Sequence, residues 1–156
     1  MIQIEIDDTE VRAALAALAR RVGALTPVME EIGEVLLAST RKRFRRSEAP
    51  DGSTWATNRP STLVRKKSTR PLIGETKSLS EQIHYRPGRD QLEIGSTMQY
   101  AGTQQFGARK GQFGRTRRGA PIPWGDIPAR PFLGLSGTDR DAVLEILSEQ
   151  LARALK

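Results

Sequence analysis

Ile83-His84-Tyr85-Arg86-Pro87-Gly88-Arg89-Asp90-Gln91-Leu92-Glu93-Ile94 is the stretch on which the fold class turns. Ile83 and Tyr85 alternate with polar residues, Pro87-Gly88-Arg89-Asp90 is a turn signal, and Leu92 and Ile94 resume the alternation. A period of two on both sides of a turn predicts an antiparallel hairpin with one buried face. Together with the helices expected on either side, the hairpin makes the class α+β.

Working toward the N-terminus, a short helix is expected around Ser78 to Gln82. Before it, from Pro50-Asp51-Gly52 through Trp55, Pro60 and Pro71, neither period is kept, so an ordered loop anchored by Trp55 is expected. Residues 27–46 return Val28, Ile32, Val35, Leu36 and Phe44 to one stripe behind Thr26 as N-cap and Pro27, which predicts a long helix. Its last turns carry Arg41-Lys42-Arg43-Phe44-Arg45-Arg46, and the partial negative charge of a helix C-terminus favours cations there. Val11, Leu15, Leu18 and Val22, between Asp7 as a capping residue and Gly23, predict a first helix over about 9–22. Ile2, Ile4 and Ile6 alternate with Gln3 and Glu5 as a short strand.

Toward the C-terminus, Tyr100 to Phe106 is expected to add a strand. Residues 107–127 then hold five glycines, two prolines and five basic residues with few apolar anchors, a segment that cannot pack by itself. Within it, Ala108 to Ala120 has only Phe113 as a large apolar residue and is expected to be disordered in the free subunit. Pro128-Ala129-Arg130-Pro131-Phe132-Leu133 returns to the core, and Thr138-Asp139-Arg140-Asp141 caps a last helix with Leu144, Leu147, Leu151 and Leu155 in one stripe. The expectation is a single domain over 1–156: two N-terminal helices and a C-terminal helix on a small, mainly antiparallel sheet, with a protruding basic Gly-rich arm at about 107–127.

Composition agrees with packed ends and an irregular middle: 37% hydrophobic residues, 14 Gly and 9 Pro in 156 residues. There is no cysteine, which removes disulfides, thiolate nucleophiles and iron–sulfur clusters together. The N-terminus lacks the order of a signal peptide and no run approaches the ~18 apolar residues of a membrane span, so a soluble protein made in the cytosol and no membrane partner are expected. A net charge of +7 raises a polyanionic partner such as DNA. The cations form three knots, Arg41 to Arg46, Arg65-Lys66-Lys67 with Arg70, and Arg115 with Arg117-Arg118; the plain reading of each is a solvated face.

A catalytic reading finds little to stand on. The one imidazole, His84, lies in the predicted hairpin without a placed nucleophile, and no His/Asp/Glu cluster has ligand spacing. The glycines of the arm are not set between a strand and a helix in a phosphate-binding pattern, and the 5% aromatic residues offer no stacking strip. No enzyme, cofactor or metal is expected; contact with DNA would be to backbone phosphates.

The motifs are ordered: Arg43-Phe44; Pro50-Asp51-Gly52-Ser53-Thr54-Trp55-Ala56; Thr62-Leu63-Val64-Arg65-Lys66-Lys67; Leu72, Leu79, Ser80 and Ile83; Ile94-Gly95-Ser96. Tyr100-Ala101 with Gln105-Phe106-Gly107 follows, and then Ile127-Pro128-Ala129-Arg130-Pro131-Phe132-Leu133-Gly134-Leu135-Ser136, ending at Asp139. In this order they resemble the phage virion morphogenesis family, also called the tail-completion family, over about residues 40–156. Gln104 and Lys77 stand where that family usually has His and Gly.

The resemblance implies a non-enzymatic structural protein of a tailed bacteriophage, acting in tail completion or in joining head to tail at the neck. It would work as a homo-oligomeric ring beside other neck or tail proteins, with packaged DNA as a further expected contact. Its place would be the host cytoplasm during assembly and then the mature virion. Trp55, Tyr100, Phe106, Arg130 and Phe132 are the expected structural anchors. Arg41, Arg45, Arg46, Lys66, Lys67, Lys110, Arg115, Arg117 and Arg118 are the candidates for facing an assembly partner or DNA. The alternative reading is a basic DNA-binding or packaging accessory protein acting as monomer or dimer.

Overall fold

A computed structural model describes residues 8–66, 68–74 and 76–156; the alternating isoleucines at 2–6, Asp7 and Lys67 lie outside the described residues. Asp8 starts the first helix, its carboxylate accepting the main-chain N–H groups of Glu10 and Val11, each at 3.1 Å. Two otherwise unpaired donors are thereby satisfied. Helix α1, Thr9–Val22, ends at Gly23, whose φ of 77° is the left-handed turn that glycine permits. Helix α2, Thr26–Arg46, has Pro27 in its first turn. Thr26 is itself helical and Leu25 holds the cap position, so the expected threonine cap is not formed.

The last helix is capped two residues before Thr138, the position its sequence suggested. In α6, Gly137–Ala154, Ser136 Oγ accepts from Asp139 N while Asp139 Oδ2 accepts from Ser136 N, a reciprocal capping box. The expected Leu144–Leu155 stripe is rotated: Val143, Ile146 and Leu147 are buried, Leu151 is half-buried and Leu155 is exposed. The apolar residues of α6 fit two neighbouring stripes, and packing selects the one containing β-branched Val143 and Ile146. These side chains join Leu18 of α1 and Leu25, Val28, Met29 and Ile32 at the start of α2 in one core.

A second core gathers around the other half of α2. Phe44, Ala49, Trp55, Leu79, Ile83, Ala101, Phe132 and Leu133 meet there, with Phe44 edge-on to Trp55 at 5.4 Å and tilted against Phe132 at 5.3 Å between ring centroids. Rings at such angles match edge to face. The predicted hairpin forms: β1, Ile83–Pro87, pairs antiparallel with β2, Leu92–Ser96, from Ile83 opposite Ser96 to Pro87 opposite Leu92. It lies on α2, where Gly33 makes room for Tyr85; a Cβ at Gly33 would sit 2.3 Å from the tyrosine ring. The fold is thus the expected small α+β arrangement, its sheet two-stranded among the described residues.

Short helices fill the irregular middle. Helix α3, Pro60–Arg65, follows the proline that presets its first turn, within the stretch read as loop. Helix α4, Ser78–Glu81, leads into β1 as expected. Ala101–Phe106 is helix α5 and not a strand: its buried residues, Ala101 and Gln105, are four apart, one helical turn, and Gly107 ends it at φ 74°.

Candidate assembly surface

The sequence motifs converge on one strip of main chain, residues 130–134. Trp55 Nε1 donates to Pro131 O at 2.7 Å. Gln105 Oε1 accepts from Phe132 N and Leu133 N, and its Nε2 donates to Leu133 O, all at 3.0 Å. Arg43 Nη1 donates to Phe132 O and Gly134 O at 3.0 Å, while Nη2 pairs with the Asp139 carboxylate. Arg130 fixes the facing loop, Nε donating to Ala56 O at 2.8 Å and Nη2 to Thr57 O at 3.0 Å. Irregular backbone needs such partners because it has no ladder of its own.

Burial lowers the pKa of the Arg43 guanidinium, and the nearby Asp139 and Glu48 carboxylates work against that shift. Burial likewise lowers that of Arg130. Both keep their charge, since a guanidinium starts far above neutral pH. Gly107 is required where α5 meets this strip: a Cβ there would lie 2.6 Å from Ile127 O and 2.8 Å from Ala129 N.

Among the expected anchors, Trp55, Phe132 and Arg130 are buried in this arrangement. Tyr100 and Phe106 are not anchors. They are 43% and 64% exposed, because the helical turn of α5 directs Ala101 and Gln105 inward and leaves both aromatics outside. Three residues that do hold the strip, Arg43, Gln105 and Asp139, stand among the sequence motifs but were not among the expected anchors. Arg43 had a signal, since it stands in phase with Met29, Ile32, Thr40 and Phe44 on the buried stripe of α2.

The arm has a defined path, contrary to the expected disorder of Ala108 to Ala120. Ala108 and Ile127 exchange main-chain bonds at 2.9 and 2.7 Å, Phe113 N donates to Ile122 O at 2.8 Å, and Thr116 N donates to Ala120 O at 2.8 Å. Gly111, Gly114 and Gly119 take positive φ at its turns. Main-chain bonding supplies the order that the side chains lack. Every residue from 112 to 119 is exposed, including Phe113, Arg115, Arg117 and Arg118. Lys110, Arg41, Arg45 and Arg46 are exposed as well, Arg46 3.6 Å from Glu48. Lys66 is half-buried at the arm's root, in a cleft of about 470 Å³ that it shares with Arg59, Arg130, Tyr100 and Trp124.

His84 is exposed on β1, 3.2 Å from Gln82 Oε1. Among the described residues no three His, Cys, Asp or Glu side chains gather to hold a metal ion, and no helix is long and apolar enough to cross a membrane.

Over 157 residues, 100% of both chains, the sequence is 28% identical to "Mu-like prophage FluMu G protein 2" of Haemophilus influenzae. It is 28% identical to "Putative capsid assembly protein G" of Escherichia phage Mu, over 99% of this chain and 97% of that one. It is 31% identical over 129 residues to "Tail completion protein S" of Escherichia phage P2, covering 79% of this chain and 81% of that one. No solved structure matches. The sequence pattern of the phage virion morphogenesis family matches residues 6–152, taking in both cores, the latched strip and the arm, and the chain belongs to that family.

Proposed function

We propose that this chain is a non-enzymatic structural component that completes the tail of a phage particle or joins it to the head, working as a closed ring of copies. The observation that carries this reading is the arm: main-chain bonds at Phe113, Thr116 and Ile122 give it a defined path, and every residue from 112 to 119 is exposed on it. A surface of that kind fits a neighbour, and cyclic symmetry lets one arm per copy close a ring. The relatives named for capsid assembly and for tail completion support a role in particle building.

The experiment replaces Ala108–Ala120 with a short Gly-Ser linker in the phage. Loop-closure entropy changes by only about 0.6 kcal/mol per doubling of length, so the subunit keeps its fold. Particle assembly is expected to stop. Infectious particles built from the folded, shortened chain refute the arm as the assembly contact.

A second reading, a DNA-binding or packaging accessory protein, is favoured by charge placement. Residues 59–130 carry fourteen Lys and Arg against five Asp and Glu, a net +9 that exceeds the +7 of the whole chain. DNA held by such a surface is bound through phosphates, without regard to sequence, and is released steeply by salt.

A further inference from the structure

At the root of the arm three cations share one concave place, and among the described residues no acid pairs with them. Arg59 Nη2 donates to Asp126 O, Lys66 Nζ to Arg70 O at 3.2 Å, and Arg130 to Ala56 O and Thr57 O. All of these acceptors are neutral carbonyls, and none of the three cations is in an ion pair among the described residues. The one acidic side chain among the lining residues, Asp126, turns its carboxylate to Lys110 N at 2.8 Å. Burial lowers the pKa of the Lys66 ammonium, and the neighbouring Arg130 charge lowers it further. Like charges gathered in a partly desolvated site repel and call for an anion.

Beside the cations and the polar Asn58, Thr62 and Gln104, the cleft has apolar and aromatic lining. Trp124 is 78% exposed, and Tyr100, Leu72 and Leu79 line the site with it. The Arg59 guanidinium packs on Gly125, where a Cβ would stand 2.6 Å from Nη1 and push the side chain aside. Exposed Trp and Tyr beside Arg is the composition of binding hot spots.

We propose that this cleft binds an acidic, extended peptide segment of a neighbouring chain, with carboxylates at Arg59, Lys66 and Arg130 and an apolar side chain against Trp124 and Tyr100. A peptide fits better than nucleic acid. The cations line a cleft of about 470 Å³, Lys66 half-buried and Arg130 buried, the size of a pocket for a few side chains, whereas duplex phosphates need cations on an open face such as the arm. Only the source of the segment rests on the assembly reading.

The test uses the full chain and a short fluorescein-labelled peptide alternating Glu with Leu, followed by anisotropy. A Lys–Leu peptide and a single-stranded oligo-dT of equal length are the comparisons. The Glu–Leu peptide is expected to bind best and to be released by salt, with Arg59→Ala and Trp124→Ala each weakening it about tenfold while circular dichroism stays unchanged. Absence of binding, binding indifferent to both substitutions, or tighter binding of oligo-dT overturns the proposal. The native mass of the chain is measured separately. Peptide binding by a chain that forms no ring keeps the site and removes the assembly reading, and a ring without peptide binding does the reverse.

Discussion

Arg43 shows how one side chain can be both hidden and central. Four other cations surround it between residues 41 and 46, and they are exposed while it is buried and paired with Asp139. Asp139 in turn caps α6, so this pair ties the end of α2 to the start of α6 across the strip at 130–134. Arg43→Met strands a buried carboxylate and leaves Phe132 O and Gly134 O without their donor. The expected cost is about 3–5 kcal/mol, read from chemical denaturation. A loss below about 1 kcal/mol would place the latch's strength elsewhere. His84→Ala, by contrast, is expected to leave infectivity unchanged in a plaque assay, because the residue is exposed and its ring bonds to the neighbouring Gln82. Loss of infectivity by a folded variant would contradict the non-enzymatic reading.

At the scale of elements, Asp8 both caps α1 and pairs with Arg140 of α6 at 2.6 Å. The hydrogen bond from Val11 N, followed by the Arg140 pairing, holds its pKa below the ordinary 3.8. A carboxylate whose folded pKa is depressed adds stability above its unfolded pKa and loses it as pH falls through the folded value. Thermal stability is therefore expected to drop below about pH 4, and less steeply in Asp8→Asn, which keeps a capping side chain without the charge. Equal acid slopes would rule out this contribution. The arm gives a second check at this scale. In the unassembled subunit trypsin should cut first at Arg115, Arg117 or Arg118, all exposed on the arm, and ring closure should protect them; first cuts in α2 of the unassembled subunit would mean that the arm is covered.

How legible these elements were depended on period and length. The hairpin and the helices α1, α2 and α6 were readable, because each repeats its pattern for several turns or on both sides of a turn. Helices α3 and α5, of 6 residues each, are too short to show a period, and the aromatic ends of α5 imitated a strand. The arm was legible in extent but not in order, since main-chain bonds leave no trace in side-chain pattern. Half of the latch was legible: Trp55, Phe132 and Arg130 stand out as large or forked side chains. Gln105 does not, because a buried amide is defined only by the strip that folds onto it.

The whole molecule divides its labour. Two cores and a latched strip form a rigid body, and the basic charge is concentrated in residues 59–130, leaving the rest of the chain two negative overall. A body with one basic, aromatic region and a mildly acidic remainder suits head-to-tail contact between copies, which closes into a ring when the rotation fits. Sedimentation of the purified chain in DNA-free buffer, beside the chain with Ala108–Ala120 replaced, tests this most directly. The account predicts one closed species at a multiple of 17.3 kDa for the intact chain and a folded 17.3 kDa monomer for the variant. An intact chain that stays at 17.3 kDa and changes size only when DNA is added would contradict it.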